Sequence, residues 1–214
     1  MVDYRLLDSL LIVENPKIIF EFGTFDGTDT FHYADLLPQA EIWTFDADKR
    51  ITENFKKKID DKRIHAYNYA ITDHCGTVGF YKSDFIDGNP GCSGSIKQHT
   101  SFHINHQKDR QIFGTIPIEV PAITIEDFCH ANKIKKIDFM HVDTEGNIEE
   151  VINGWGSFIP RILRIEIYEL GPLYKGIKES LFYDTMIKAM GYKYMFMIEY
   201  DAVYKLRDGS KNDK

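Results

Sequence analysis

The sequence lacks the cysteine pattern of a disulfide-bonded or zinc-binding domain. Its three cysteines, Cys75, Cys92 and Cys129, are odd in number and far apart, and no Cys-x-x-Cys pair occurs. Such a set argues against a disulfide framework and against a zinc ribbon. The sequence therefore predicts reduced thiols and a cytoplasmic protein.

Long apolar runs and an excess of positive charge are lacking as well. No stretch approaches the roughly 20 apolar residues of a membrane helix, and the run at residues 10–13 is too short for a secretory signal. The 26 Lys and Arg against 33 Asp and Glu give a formal net charge of −7. This charge argues against extended binding to nucleic acid phosphates and suits a small neutral or cationic ligand.

What is present is an alternation of apolar runs with amphipathic ones over 214 residues, 43% of them hydrophobic. Strands alternating with helices predict an α/β fold with a mostly parallel sheet covered on both faces. The predicted strands are residues 17–22, 41–45, 63–69, 78–81, 116–120, 137–142, 162–167, 192–198 and 202–206. The later predicted helices are residues 48–59, 124–132, 148–154 and 179–190.

The length predicts one domain over residues 1–207. Residues 83–115 interrupt the alternation with glycines and polar residues, so we expect a substrate loop or lid insertion there. The polar residues 208–214 predict a disordered tail. Because parallel sheets bind ligands beyond the carboxyl ends of their strands, the residues that follow each strand are the candidates for a site.

The first predicted strand runs into the turn Glu21-Phe22-Gly23-Thr24-Phe25-Asp26-Gly27. Gly23 allows a sharp turn against which a ligand can lie, and Gly27 allows the next helix to pack close to the strand. The turn is not the dinucleotide fingerprint Gly-x-Gly-x-x-Gly, because position 25 is Phe. A ligand without a pyrophosphate fits it better, and a plain strand-to-helix turn is the alternative.

The second predicted strand ends at Asp46, about twenty residues after the first turn, where a carboxylate can accept hydrogen bonds from both ribose hydroxyls. A solvated acid or a helix cap is the alternative for Asp46 alone, and nicotinamide cofactors use the same device. Together with the first turn, Asp46 predicts a nucleoside ligand.

Acidic residues cluster at the end of a later strand, in Asp138-Phe139-Met140-His141-Val142-Asp143-Thr144-Glu145-Gly146. Strand alternation places His141, Asp143 and Glu145 on one face, or Asp143 and Glu145 both at the strand's end. Clustered acids repel one another unless a cation or a hydrogen-bond donor is bound. A sulfonium ligand with an ammonium group would satisfy them, and a helix cap is the alternative.

Together, these segments resemble the FkbM-like family of S-adenosylmethionine-dependent methyltransferases. The resemblance extends over residues 18–169 and rests on six segments in the family's order. These are residues 21–27, 44–48, 68–73 with Gly76, 120–127, 138–146 and 164–166. His141 stands where the family often has Lys.

The resemblance implies a Rossmann-like class I methyltransferase fold, a mostly parallel seven-stranded sheet with an antiparallel last strand. It places the methionine part of the cofactor in the first turn, the ribose at Asp46, and the adenine near Ala47 and Ala70. It also places Asp143 and Glu145 at the methyl group and the acceptor. The cofactor-binding residues so implied are Glu21, Gly23, Thr24, Phe25, Asp26, Gly27, Asp46, Ala47, Ala70, Ile71 and Asp143.

The expected reaction is transfer of a methyl group from S-adenosylmethionine to a hydroxyl oxygen, which the resemblance suggests belongs to a sugar, a glycan or a glycosylated metabolite. A hydroxyl is a poor nucleophile until a base takes its proton. Candidate bases are His141, Asp143, Glu145 and Glu166, of which we favour Asp143 or His141. Alternatively, Asp143, Glu145 and Glu166 could hold a Mg²⁺ that polarises the hydroxyl.

Three other functions remain open at this stage. A nicotinamide-dependent oxidoreductase would share the ribose carboxylate, although the middle glycine of its fingerprint is missing. An RNA cap ribose methyltransferase would share fold and cofactor, but the charge is unsuitable and no Lys-Asp-Lys-Glu pattern is found on the matching strands. A nucleoside-binding protein without catalytic activity would keep the fold.

Overall fold

The computed structural model describes residues 4–99, 101–167 and 179–208. Within these ranges, helices and strands alternate along the chain. The helices are α1 (Arg5–Glu14), α2 (Thr28–Leu36), α3 (Lys49–Lys56), α4 (Ser101–Gln107), α5 (Ile125–Ala131), α6 (Ile148–Asn153) and α7 (Glu179–Ala189). The strands are β1 (Ile18–Phe22), β2 (Glu41–Phe45), β3 (Ile64–Tyr67), β4 (Ala70–Ile71), β5 (Gly76–Phe80), β6 (Ser83–Phe85), β7 (Gln111–Phe113), β8 (Ile118–Ile123), β9 (Phe139–Val142), β10 (Ile162–Glu166), β11 (Tyr192–Ile198) and β12 (Asp201–Leu206).

Seven strands form the main sheet in the order β11-β12-β10-β9-β1-β2-β3. The five strands from β10 to β3 are parallel, and the last strand in sequence, β12, is antiparallel to both of its neighbours. The predicted mostly parallel seven-stranded sheet with an antiparallel last strand is confirmed. The carboxyl ends of β1, β2 and β9 therefore meet at one edge.

The central strands are buried on both faces, which explains their continuous apolar runs. On one face, Phe20 and Met140 pack with side chains from α5, α6 and α7. On the other face, Ile19 and Phe139 pack with side chains from α1, α2 and α3. Helices on both faces are confirmed, and each buried Ile or Phe contributes roughly 1.5–3 kcal/mol of transfer free energy.

Helix α1 was not among the predicted elements. Leu7 and Leu11, one helical turn apart, are fully buried against the face of the sheet that carries α2. The end of the helix is fixed by Glu14, whose carboxylate pairs with Arg161 and with Lys205. Tertiary packing therefore holds a helix of ten residues, which is too short to be stable alone.

The strand predicted at residues 63–69 corresponds to β3, which ends earlier than predicted, and the chain then enters a second sheet through β4, which was not among the predicted elements. Strand β3 ends at Tyr67, and β4 pairs with β8 in a separate three-stranded sheet of order β4-β8-β5. The side-chain amide of Asn68 donates to the carbonyl oxygens of Asp46 and Ala47, both at 2.9 Å. These bonds hold the chain where it leaves the main sheet.

The segment at residues 83–115, called the insertion below, contains regular structure. Strands β6 and β7 pair antiparallel within it, and α4 lies between them in sequence. Residues 209–214 of the predicted tail lie outside the described residues. Within the described part of the chain, no helix has the length and apolar character needed to cross a membrane.

Candidate active site

A cavity lies where β1, β2 and β9 end, and the insertion forms one of its walls. It has a volume of about 760 Å³ when the open space at its mouth is included. On the side of β1 and β2, the lining includes Gly23, Phe25, Asp46 and Ala47. The lining also includes Ala70, Ile71, Asp143 and Glu145. Eight of the predicted site residues therefore meet in one cavity.

The first turn is fixed by close backbone packing. Gly23 has φ 94°, and a Cβ there would lie 1.9 Å from the carbonyl oxygen of Asp143. Gly27 has φ 86°, and a Cβ there would lie 2.1 Å from the ring of Phe55. Both positions thus require glycine, the first to bring β1 against β9 and the second to bring α2 against α3.

The backbone N–H groups of this turn are largely occupied by protein acceptors. Gly23 N–H donates to the Phe45 carbonyl at 2.9 Å, and Gly27 N–H donates to the Thr24 carbonyl at 2.9 Å. Phe25 N–H donates to Asp46 Oδ2 at 3.2 Å. A pyrophosphate binds through such N–H groups, so this turn is poorly suited to a dinucleotide.

Asp46 connects the first turn to the end of β2. Its carboxylate accepts hydrogen bonds from the N–H groups of Phe25 and, at 2.8 Å, Asp48. Burial raises the pKa of Asp46 to about 7, although these two bonds oppose the rise. The carboxylate is therefore held rigidly at the cavity, where it can accept further hydrogen bonds from a ligand.

An apolar region of the cavity lies beside Asp46. It is lined by Ala47, Tyr69, Ala70, Ile71 and Phe80. The Asn147 side-chain amide, which donates to the Ile71 carbonyl at 3.0 Å, fixes the position of β4. A flat apolar group such as a purine ring would be well accommodated here.

Asp143 and Glu145 line the cavity just beyond β9, where Asp143 lies against Gly23 of the first turn. Burial raises the pKa of Asp143, and its side-chain hydrogen bond with Glu166 opposes that rise. Glu145 has φ 53° and Gly146 has φ 98°, so the chain turns sharply after Thr144. A left-handed backbone at a non-glycine residue is unfavourable and is often found at functional sites.

Six predicted site residues are not among those that line the cavity. Glu21 is buried and accepts a hydrogen bond from the Thr30 hydroxyl, and burial raises its pKa to about 8. Thr24 is buried against Thr44. The complete set is Glu21, Thr24, Asp26, Gly27, His141 and Glu166.

His141 lies under α2, on the other side of the sheet from the α5 helix. Its Nδ1 is 3.3 Å from the Tyr33 hydroxyl, and burial lowers its pKa to about 3. It stands in register between Glu21 on β1 and Arg164 on β10. His141 is thus a neutral member of a buried polar row and does not reach the cavity.

Arg164 is the centre of this polar row, and the sequence analysis gave it no role. Its guanidinium pairs with Asp201 at 2.5 Å and with Asp29 at 2.7 Å. It also donates to the Tyr33 hydroxyl at 2.7 Å. Through these ion pairs, the buried guanidinium holds β10, β12 and α2 together beneath the ends of β9 and β10.

The insertion supplies residues that the sequence analysis did not identify individually. Cys92, Ser95 and Ile96 line the cavity opposite the sheet. Ser95 Oγ donates to the Glu145 carbonyl at 2.8 Å. The ring of Phe85 packs against that of Phe25 in the first turn in a T-shaped arrangement, with 6.0 Å between the ring centroids. The glycines at positions 91 and 94 were the sequence signal for a closely packed segment here, because each lies close against a neighbouring side chain.

The alternative of Mg²⁺ bound by Asp143, Glu145 and Glu166 has no support. Within the described ranges, the potential ligand group that comes close enough together is Glu21, Asp29 and His141. Arg164 already pairs with Asp29 in that group, so a second cation there would be repelled.

Comparison with known proteins places this arrangement in context. The methyltransferase FkbM domain family matches residues 16–194. The chain is also similar to the 2-O-methyltransferase NoeI of Sinorhizobium fredii (strain NBRC 101917 / NGR234), with 28% identity over 155 residues. That match covers 71% of this chain and 62% of NoeI, so it spans less than two thirds of the relative's length.

Two solved structures have a similar fold. One is a protein of Staphylococcus aureus assigned as a caffeoyl-CoA O-methyltransferase, with a TM-score of 0.55, 10% identity, and coverage of 97% of this chain and 85% of that one. The other is the fibrillarin pre-rRNA processing protein of Methanococcus jannaschii, with a TM-score of 0.55, 11% identity, and coverage of 94% and 74%. At such identities the likeness concerns the fold alone, and it confirms the Rossmann-like class I methyltransferase architecture.

Proposed function

The chain belongs to the family of FkbM-domain methyltransferases, and on that premise we propose that it transfers a methyl group from S-adenosylmethionine to a hydroxyl oxygen. The observation that carries the proposal is the convergence of the first turn, Asp46, the apolar region and Asp143 in one cavity. An adenosyl amino acid requires such partners for its amino acid part, its ribose and its adenine.

The cofactor fits the residues present. Asp46 would accept the ribose hydroxyls, and the apolar region around Ala70 and Ile71 would hold the adenine. The amino acid part would lie along Gly23 toward Asp143, whose carboxylate suits a cationic group. The occupied N–H groups of the first turn support this ligand over a nicotinamide dinucleotide, because S-adenosylmethionine has no pyrophosphate to bind.

Asp143 is the base that we propose for the reaction. When bound, the cofactor supplies an electrophilic methyl group on a sulfonium centre. The Asp143 carboxylate lines the cavity, and burial raises its pKa, which makes it a stronger base than an exposed carboxylate. Glu166, hydrogen-bonded to Asp143, would orient that carboxylate and share the proton. His141, the other favoured candidate, does not line the cavity.

For the acceptor, we propose a hydroxyl of a sugar, a glycan or a glycosylated metabolite. The name of NoeI, a 2-O-methyltransferase, supports an oxygen acceptor. The insertion, whose residues Cys92, Ser95 and Ile96 line the cavity, supports a site whose acceptor is chosen by that segment. The three free cysteines support a cytoplasmic location for the reaction.

The proposal is tested by calorimetric titration with S-adenosylhomocysteine, followed by a methyl-transfer screen over sugars and oligosaccharides. We expect one binding site per chain and methylation of at least one hydroxyl acceptor. Parallel titration with NAD and NADP tests the oxidoreductase alternative. Preferential binding of either dinucleotide would overturn the proposal, and tight binding without any turnover would favour the non-catalytic nucleoside-binding alternative.

A further inference from the structure

The charge of the cavity wall has one sign. Asp46, Asp48, Asp143 and Glu145 line it, and none of the lining residues in the described ranges is Lys, Arg or His. S-adenosylmethionine carries one net positive charge, from its sulfonium, ammonium and carboxylate groups. Asp48 is paired with Arg50, and the three remaining carboxyl groups, of Asp46, Asp143 and Glu145, still outnumber the one net positive charge of the proposed cofactor.

Among the described residues, three cationic side chains near the cavity are already paired. Arg50 pairs with Asp48 at 2.6 Å and with Asp84 at 2.5 Å. Lys97, next to the lining residue Ile96, pairs with Glu150 at 3.1 Å. Arg164, behind Asp143, pairs with two acids as described above. Using any of these cations to bind an acceptor would break an existing ion pair.

The glycine-containing segment at residues 91–95 offers few backbone donors to an anion. Gly91 N–H donates to the Ser83 carbonyl at 2.9 Å, and Ser95 N–H donates to the Tyr81 carbonyl at 3.0 Å. The N–H groups of Cys92 and Ser93 donate to Gln111 Oε1 at 3.1 and 3.3 Å. A phosphate-binding loop needs such N–H groups to point at the ligand, and here they are engaged within the insertion.

We propose that the acceptor hydroxyl belongs to an uncharged or positively charged molecule, and that the cavity rejects acceptors with a phosphate or carboxylate near the reacting hydroxyl. The inference rests on the proposed function, because it concerns the acceptor of that same site. An anion in this cavity would face several carboxyl groups at short range, whereas the described cations and the N–H groups named above already have partners. Nucleotide sugars and sugar phosphates therefore fall outside the accepted class.

Cys92 allows the potential inside the cavity to be measured without a known acceptor, because it lines the cavity. In a Cys75→Ser variant, which removes the other exposed thiol, Cys92 is labelled with two methanethiosulfonates of similar size. One carries a trimethylammonium group and the other a sulfonate. The labelling rate of the cationic reagent is divided by that of the anionic reagent. Dividing this ratio by the same ratio for N-acetylcysteine amide corrects for the intrinsic reactivity of the two reagents and gives the corrected ratio. Labelling is repeated with S-adenosylhomocysteine bound.

We expect the corrected ratio to be about fivefold or more, as the Coulomb energy of a few carboxylates near a thiol implies. A smaller ratio overturns the inference. Glu145→Gln should lower the ratio, whereas Glu119→Gln, at an exposed glutamate that does not line the cavity, should leave it unchanged. The wild-type ratio decides the matter even if Glu145→Gln does not fold.

The outcome is separable from that of the proposed function. A small ratio in a protein that binds S-adenosylhomocysteine removes the inference and leaves the methyltransferase proposal intact. A large ratio without cofactor binding confirms the negative potential of the cavity but removes the proposed function, and with it the acceptor to which the inference applies. Once an acceptor is found, its phosphorylated form should be methylated at least about tenfold more slowly, and faster methylation of the phosphate would contradict the inference.

Discussion

A Cβ atom on Gly23 would stand 1.9 Å from the carbonyl oxygen of Asp143. The first turn and the end of β9 are thus in direct backbone contact, and neither can move without the other. Asp46, which accepts a hydrogen bond from Phe25 of that turn, and Asp143 are consequently fixed relative to each other. Such rigidity is what positioning a donor against an acceptor demands.

Gly23→Ala should abolish cofactor binding and destabilise the fold by more than backbone strain alone. The left-handed backbone costs an alanine roughly 1–2 kcal/mol, and the overlap with Asp143 adds to that cost. Gly88→Ala is a matched control, because Gly88 also has a positive φ of 86° but nothing within 4 Å of its Cβ position. Urea unfolding and calorimetry check both variants. Equal losses of stability and of cofactor affinity in the two variants would show that the close contact has no effect.

The affinity for S-adenosylhomocysteine should depend on the ionisation of Asp46. Burial raises its pKa from 3.8 to about 7, and ribose hydroxyls donate to the ionised form. Affinity should therefore be fully developed above pH 7 and fall about tenfold between pH 8 and pH 6, as the carboxyl takes up a proton. Calorimetry over this range measures the effect. In Asp46→Asn the affinity should be weaker and this pH dependence should disappear, and an unchanged slope would assign it to another group.

Asp143→Asn should reduce turnover by about 10²–10⁴-fold, the usual contribution of a general base, and change cofactor binding much less. His141→Gln should keep most of the turnover of a folded enzyme, because His141 lies under α2 and outside the cavity. Single-turnover methyl transfer and calorimetry on both variants separate the two effects. Loss of turnover in His141→Gln together with retained turnover in Asp143→Asn would make His141 the base.

Removing Arg164 should destabilise the protein by about 3–5 kcal/mol, because its loss leaves buried acids without their cation. Arg164→Met keeps much of the side-chain volume and so isolates the charge. Lys188→Ala serves as the control, since its pair with Asp184 is half exposed and should contribute less than about 1 kcal/mol. Urea denaturation compares the two, and similar small losses would contradict the structural role of the polar row.

The sequence indicated those parts of the site that are formed locally. The first turn comes directly after β1, and Asp46 comes directly after β2. Because the carboxyl ends of parallel strands meet at one edge of the sheet, the sequence was enough to predict that these residues are neighbours. Of the two placements predicted for the later acids, the structure has Asp143 and Glu145 at the end of β9. His141 lies elsewhere because Asp143 already follows the last strand residue, Val142, and strand alternation no longer applies there.

Other parts depend on contacts between distant segments and could not be predicted. Helix α1 is held by packing and ion pairs with residues far along the chain. Cys92 and Ser95 reach the cavity because Gln111 and Glu145 hold the insertion in place. Neither partner is recognisable from the local sequence.

The central claim is that the first turn and Asp46 bind the two ends of an adenosyl amino acid. A crystal structure of the chain soaked with S-adenosylhomocysteine tests it most directly. The account predicts ribose hydroxyls within hydrogen-bond distance of the Asp46 carboxylate, and the amino acid part along Gly23 toward Asp143. An empty cavity at saturating ligand, or a nucleoside whose ribose lies away from Asp46, would contradict it.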